Sequence, residues 1–236
     1  MPPEGTEFNE HISVAEDIFV EVSHGPTLMD NNIFLSEVAG RFCTQGTAMV
    51  HNLIAGSFVY VGNGSDNGSK VFPSPRYTPY HVPHRTEIAG FMTILHGDAR
   101  FYNNIFVQQP ISQLLTDYAK ARKEESLDRM NYIVGTKPYD GEKNYKIDTE
   151  NHITLHLVEE DGKTVLHTNL YQYLQKSENE MISTKVLGEA FEPEELFENP
   201  DGSPITFDED YHGTHRSICP VSGPFEIYGE ETTIVL

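Results

Sequence analysis

The sequence predicts an all-β protein in which coils of a parallel β-helix are followed by an antiparallel β module. Short β-rich segments recur along the amino-terminal half, and the glycines that open the first three copies lie 20 and 21 residues apart. A period near 20 residues is typical of a solenoid, in which each turn of chain stacks on the one before it. After residue 109 the pattern changes and includes alternating apolar and polar residues around tight turns, which indicates antiparallel strands.

Four copies of the repeat share a frame in which five residues separate a glycine from a polar corner residue. They lie at residues 5–11, 25–31, 46–52 and 97–103, and an apolar pair follows the corner. Asparagines at equivalent corners can stack amide on amide and thereby satisfy the backbone groups of the bend. We therefore expect a structural ladder that contains Asn31, Asn52 and Asn103.

The coils are expected to occupy residues 1–109, with a loop inserted at about residues 57–96. The second half of this loop, residues 76–87, combines two tyrosines, two histidines, two arginines and a glutamate, and its prolines hold it extended. Long loops on a rigid repeat scaffold often carry binding function. This segment is therefore a candidate binding element.

Residues 110–236 are expected to form a helix and an antiparallel β module that packs against the coils. Apolar residues along one side of residues 111–129 predict the helix. Residues 153–158 and 165–171 alternate on either side of a Glu-Asp-Gly turn and predict a hairpin. We find no catalytic motif in this half of the sequence.

The charge balance narrows the classes of partner. With 16 basic and 36 acidic side chains the formal net charge is −20, which argues against nucleic acid and against anionic membrane surfaces. A neutral substrate such as a sugar is compatible with this charge. No apolar run approaches the roughly 18 residues that a membrane-spanning helix needs.

Two cysteines, Cys43 and Cys219, lie far apart without a motif around either of them. This pattern predicts neither a zinc site nor a disulfide framework, and it favours a reducing compartment. The amino terminus has neither the basic nor the apolar region of a signal peptide. We therefore expect a cytoplasmic protein.

Glu21 is the candidate catalytic residue. It alternates with Val20 and Val22 in a predicted strand, so that the valines face one way and the carboxylate the other. Most acids in such positions are solvated residues on the outer face of a sheet. The catalytic hypothesis gains weight because this strand belongs to a copy of the repeat.

Several long strings resemble β-xylosidases of glycoside hydrolase family 120. They include Phe-Val-Glu-Val-Ser-His-Gly-Pro-Thr from residue 19, Arg-Tyr-Thr-Pro-Tyr-His from residue 76 and His-Gly-Asp-Ala-Arg-Phe-Tyr-Asn-Asn from residue 96. The resemblance extends through Phe-Glu-Pro-Glu at 191–194 and Asn-Pro-Asp-Gly-Ser-Pro at 199–204. It implies a right-handed parallel β-helix, here a partial solenoid, with a β-sandwich-like module, and retaining hydrolysis of terminal xylose from xylo-oligosaccharides.

The resemblance also implies the catalytic roles. The glutamate of the Phe-Val-Glu-Val string is the family's general acid/base, which is Glu21 here. The family's nucleophile is an aspartate on the preceding coil, ahead of a Gln-Gly-Thr segment whose counterpart here is residues 4–6. We therefore expect the nucleophile upstream of this sequence, which would make the chain the carboxy-terminal portion of a longer enzyme and inactive alone. Stacked strands about 4.8 Å apart suit the carboxyl separation of about 5–5.5 Å in retaining glycosidases.

Five residues are candidates for the substrate-binding rim because aromatic faces and hydrogen-bonding groups suit a neutral polyol. They are His24, Tyr77, His81, His84 and Glu87. Packing within the loop is the alternative role for each of them. The spacing of His81, His84 and Glu87 resembles that of metal ligands, but without a helix it is weak, and we predict neither a metal site nor a cofactor.

Three hypotheses stay open at this point. The chain is a β-xylosidase portion that needs an upstream segment, a non-catalytic carbohydrate-binding β-helix fragment, or another β-helix carbohydrate enzyme such as a lyase or an epimerase. Polyuronate lyases need cations to neutralise the substrate, so the acidic composition disfavours them. The predicted partners are a xylo-oligosaccharide or another neutral glycoside, and, through an exposed first coil, an upstream segment or a second copy of the chain.

Overall fold

The computed structural model describes most of the chain, namely residues 18–36, 38–60, 71–72, 74–94, 98–107, 126–129, 131–134, 145–148, 150–174, 179–229 and 232–236. This part is all-β. Its helices are one turn each, a 3-10 helix at Leu170–Gln172 and the α-helix α1 at Thr184–Leu187. Within the described residues no helix combines the length and the apolar character needed to cross a membrane.

Among the described residues three sheets are parallel, and successive segments of chain add strands to them. Sheet 1 contains β1 (Ile18–Ser23), β4 (Val38–Thr44) and β7 (Ser57–Tyr60). Sheet 2 contains β2 (Thr27–Asp30), β5 (Thr47–Val50), β10 (Ala99–Tyr102) and β12 (Ser126–Arg129). Sheet 3 contains β3 (Ile33–Phe34), β6 (Leu53–Ile54), β11 (Ile105–Val107), β13 (Asn131–Val134) and β14 (Tyr145–Asp148).

At the corners between sheets 2 and 3 the observed register differs from the predicted repeat frame. Asn31, His51 and Asn103 occupy the same register position and all have a positive φ, at 54°, 55° and 53°. The amide ladder forms one residue later, where Asn32 Nδ2 donates to Asn52 Oδ1 at 3.1 Å and Asn52 Nδ2 to Asn104 Oδ1 at 3.0 Å. Of the three predicted ladder residues, only Asn52 is a member.

Three further sheets are antiparallel. The predicted hairpin over residues 153–171 is confirmed: β15 (Leu155–Glu160) pairs with β16 (Lys163–Thr168), and β16 also pairs with β19 (Thr232–Val235). The inserted loop contains a hairpin of β8 (Thr78–His81) and β9 (Ile88–Met92), named the arm below. The third is formed by β17 (Glu189–Ala190) and β18 (Glu195–Leu196).

Parallel pairing continues beyond residue 109, where a helix was predicted. Residues 108–125 lie outside the described part of the chain, but the last four residues of the predicted helix form β12. There the backbone extends the hydrogen-bonded ladder of β10, which is a non-local interaction that apolar spacing does not reveal.

Sheets 2 and 3 pack on both faces, because alternate residues of their strands contact different partners. Met49, Ile54 and Phe101 pack together with Phe34 and Ala39 between the parallel sheets. The opposite face of sheet 2 packs against Ile182, Leu187 and Phe197, and the opposite face of sheet 3 packs against β16 and Phe225. The carboxy-terminal half thus covers sheets 2 and 3.

Candidate active site

Glu21 lies in β1, in register with Cys43 of the neighbouring strand β4. The arm approaches this strand, because β8 contacts β1. Ser23, at the end of β1, pairs with Thr44, which makes His24 and Gln45 equivalent residues of successive repeats. The site is therefore built from the carboxyl end of β1, the corner that follows it and the arm.

His24 joins the coil corner to the base of the arm. Its Nε2 lies 3.1 Å from the Thr78 carbonyl oxygen and 3.2 Å from that of Met92, and Gln45 Nε2 lies 2.9 Å from its Nδ1. Carbonyl oxygens only accept hydrogen bonds, so Nε2 carries the proton and Nδ1 accepts from the Gln45 amide. The contacts thus engage both ring nitrogens of His24, whose residue is 3% exposed.

The inner face of the arm is shaped to fit His24. Tyr80 contacts the imidazole edge to face, with ring centroids 5.8 Å apart and an interplanar angle of 77°. Its ring lies over Gly90, where an added Cβ would stand 2.4 Å from the Tyr80 hydroxyl oxygen. The glycine therefore allows the tyrosine to lie flat across the arm.

The corner below His24 has no room for side chains. Gly46 has a φ of +66°, and a Cβ there would lie 2.5 Å from the His24 carbonyl oxygen. Thr44 Oγ1 donates to the Ser23 carbonyl at 2.9 Å, and the backbone N–H of Gln45 donates to the same oxygen at 3.0 Å. These contacts fix the spacing of the two coils where the site begins.

The structure separates the five predicted rim residues into two groups. Tyr77 is 61% exposed just before β8, while His81 and Glu87 are exposed on the arm itself. His81 Nδ1 lies 3.2 Å from the Thr86 carbonyl, a contact within the arm. His24 is buried under the arm instead of lying on an open rim, and His84 contacts Glu198 of the carboxy-terminal half. In the described part of the chain no group of three or more His, Cys, Asp or Glu is arranged to hold a metal ion.

A separate cleft of about 510 Å³ opens between the end of β2 and residues 198–210. It is acidic, and two of its carboxylates, those of Asp210 and Asp30, make contacts within the fold. Asp210 accepts backbone hydrogen bonds from His212, Thr214 and Glu226. Burial raises the pKa of Asp30, whose Oδ2 accepts from the neighbouring Asn31 amide at 3.2 Å.

Asp98 and Arg100 tie the coils to the carboxy-terminal half. Asp98 lies at the corner equivalent to Gly46, pairs with Arg100 at 2.6 Å and accepts the backbone N–H of Phe191 at 2.8 Å. Burial raises the pKa of Asp98. These contacts give Asp98 a structural role.

The sequence pattern did not identify Gln45, Tyr80 and Gly90 as parts of the site. A signal for Gln45 was present, because His24 and Gln45 each precede a glycine in successive copies of the repeat. The contacts of Tyr80 and Gly90 depend on how the arm folds back, and no local pattern encodes this.

No model of a known protein family matches the chain, and no curated protein does. Among solved structures, the chain is similar to XylC in its complex with xylose, with a TM-score of 0.77 and 28% sequence identity. The similarity covers 92% of this chain and 37% of the XylC chain. The chain thus spans little more than a third of the length of that relative.

Proposed function

We propose that this chain carries the acid/base portion of a retaining β-xylosidase, with Glu21 as the general acid/base. The observation that carries the proposal is the similarity to the xylose complex of XylC over nearly the whole chain. The strings that resemble family 120 β-xylosidases support it, because one of them contains Glu21. The net charge of −20 suits a neutral glycoside better than a uronate polymer.

We also infer that the three parallel sheets are the faces of a right-handed parallel β-helix. The supporting observation is that β1 to β6 pass through sheets 1, 2 and 3 twice in the same order, and that later strands extend these sheets by parallel pairing. On this inference the coils continue through β14, so the boundary with the antiparallel module lies after Asp148 and not at residue 110.

The chemistry follows from the proposed role of Glu21. In the first step Glu21 gives its proton to the glycosidic oxygen while a second carboxylate attacks the anomeric carbon, which breaks the carbon–oxygen bond and forms a glycosyl ester. In the second step Glu21 takes a proton from water as the water attacks the same carbon, which breaks the ester bond, frees the second carboxylate and releases xylose. We propose that the second carboxylate comes from a coil that stacks on β1 on the side away from β4.

The predicted rim residues take different roles in this proposal. We propose that Tyr77, His81 and Glu87 contact the sugar, because their side chains are exposed on or beside the arm, whose first strand contacts β1. His24 uses both ring nitrogens for protein groups, so we assign it to positioning the arm.

The test is hydrolysis of p-nitrophenyl β-xyloside by this chain, alone and mixed with a separately expressed amino-terminal segment of a XylC-like protein. We expect activity in the mixture, its loss in Glu21→Gln, and no change in Glu159→Gln, which alters an exposed glutamate of β15. If calorimetry detects xylose binding but no mixture hydrolyses the substrate, the chain is a carbohydrate-binding fragment and not part of an enzyme. Full activity in Glu21→Gln would overturn the assignment of the acid/base.

A further inference from the structure

The arm has a second attachment, at its tip. His84 Nε2 lies 2.8 Å from Glu198 Oε1 and 4.0 Å from Glu195 Oε1, while the backbone N–H of His84 donates to Glu195 Oε1 at 3.2 Å. Both glutamates belong to the segment that contains β18. The tip of the arm and a segment more than 100 residues away are therefore joined at a single histidine.

The backbone at the tip presents His84 to this contact. His84 has a φ of 56°, Arg85 N donates to the Val82 carbonyl at 3.0 Å, and Val82 N donates to the Glu87 carbonyl at 2.9 Å. The turn is thus closed by its own hydrogen bonds, which leaves the imidazole free to reach across. The side chain of His84 is 33% exposed, so protons exchange with solvent at the contact.

The groups that act on His84 from the opposing segment are all acidic. They are Glu195, Glu198 and Asp201, and together with the hydrogen bond to Glu198 they raise the pKa of His84 above its ordinary value. On the arm itself, Arg85 and Glu87 are the nearest charged residues along the chain. A positive charge on His84 is therefore stabilised by the contact, and the contact is stabilised by that charge.

We propose that His84, Glu195 and Glu198 form a proton-controlled clasp, which fastens the arm to the carboxy-terminal half when His84 is protonated and loosens when it is neutral. A raised pKa means that the ionic stabilisation is complete below the ordinary histidine pKa of 6.5 and is lost as the pH rises through the raised value. The base of the arm is attached separately, through the contacts of His24 Nε2 with the Thr78 and Met92 carbonyls. The clasp thus changes the order of the arm's tip and leaves its anchor in place, and it does not depend on the proposed enzymatic function.

The experiment measures amide hydrogen-exchange protection factors of β8 and β9 between about pH 5 and about pH 8, the range in which histidines titrate. In the wild-type chain we expect protection near the tip to fall by up to about five-fold as the pH rises, the scale of an exposed ion pair. His84→Asn tolerates the positive φ, and should show the lower protection at every pH. His81→Asn, which alters a histidine bonded within the arm, should keep the wild-type dependence.

A second measurement distinguishes the effect of the Glu198 charge from an effect on folding. The pKa of His84, followed by proton NMR, should fall toward its ordinary value in Glu198→Gln, which retains an oxygen acceptor without the charge. The proposal is overturned if wild-type protection is the same at both ends of the pH range, if His84→Asn retains the wild-type pH dependence, or if Glu198→Gln leaves the His84 titration unchanged.

Discussion

Gln45 donates its side-chain amide to Nδ1 of His24 over 2.9 Å, and the two residues occupy the same position in successive coils. The pair links the stacking of the coils to the placement of the arm, because the other nitrogen of His24 serves two carbonyls at the base of the arm. Both residues are buried, so neither hydrogen-bonding group has water as a replacement partner.

Gln45→Leu should destabilise the chain by about 1–3 kcal/mol, because it leaves Nδ1 of His24 buried without a donor. Urea denaturation followed by circular dichroism measures the change in the free energy of unfolding. Gln172→Leu replaces an exposed glutamine and should stay within about 0.5 kcal/mol of the wild type. Equal effects of the two substitutions would show that the contact between Gln45 and His24 contributes no stability.

Gly46→Ala should cost more than Gly213→Ala, although both glycines have a positive φ, at +66° and +74°. A Cβ on Gly46 would lie 2.5 Å from a backbone oxygen of His24, whereas a Cβ on Gly213 meets nothing within 4 Å. The difference between the two variants therefore isolates the steric term from the cost of the left-handed conformation. Thermal unfolding should give a clearly lower Tm for Gly46→Ala, and equal values would contradict the close approach of the two coils.

The pairing register of the parallel strands shows which features of the fold could be predicted from the sequence and which could not. The hairpin of β15 and β16 was predictable because its alternation and turn are local. The alignment of the third repeat was wrong by one residue, because a positive φ at a corner is accepted by Gly, Asn, Asp and His alike, and Asn31 is equivalent to His51. Residue identity therefore does not establish equivalence, whereas hydrogen-bonded pairing does.

The candidate site also combines a residue that its local sequence identifies with contacts between residues far apart in the chain. Glu21 could be selected from one strand and a resemblance, and its catalytic role stays a prediction. The burial of His24 could not be predicted, since it depends on Thr78 and Met92, which are more than 50 residues away and meet only when the arm folds back.

Asn52→Ala should destabilise the chain by about 3 kcal/mol or more, because this fully buried amide serves two neighbouring coils. Its Nδ2 donates to Asn104 Oδ1 and to the Met29 carbonyl, and its Oδ1 accepts the backbone N–H of Asn32. Asn151→Ala changes an exposed asparagine and should cost far less in the same denaturant titration. A loss below about 1 kcal/mol for Asn52→Ala would show that the ladder is dispensable.

Arg216→Met should lower the free energy of unfolding by about 3–5 kcal/mol, because it removes a buried charge that joins the parallel strands to the carboxy-terminal half. The guanidinium is fully buried, donates to Asn31 Oδ1 at 2.7 Å and pairs with Glu226 at 3.3 Å. Arg216→Lys should rescue little, since a single ammonium cannot reproduce the fork of donors. Arg76→Met, at an exposed position, is the matched control, and equal unfolding free energies for the two Met variants would refute this role.

His51→Asn should remove part of the acid sensitivity of the fold. Burial, the first cause, and the nearby Arg216 charge hold the pKa of His51 well below its ordinary value of 6.5. The unfolded chain then binds a proton that the native chain does not, so stability falls as the pH drops below about 6.5, by up to about 1.4 kcal/mol per pH unit. Asparagine occupies the equivalent corners at Asn31 and Asn103, so the substitution suits the backbone.

The measurement for His51 is the unfolding free energy of the wild type and of His51→Asn as a function of pH. The two curves should run parallel above about pH 6.5 and diverge below it, with the wild type losing stability faster because only it carries the buried imidazole. The many carboxylates of the chain contribute equally to both curves and cancel in the difference. Parallel curves throughout would mean that the native and unfolded states protonate His51 equally, in conflict with its burial beside Arg216.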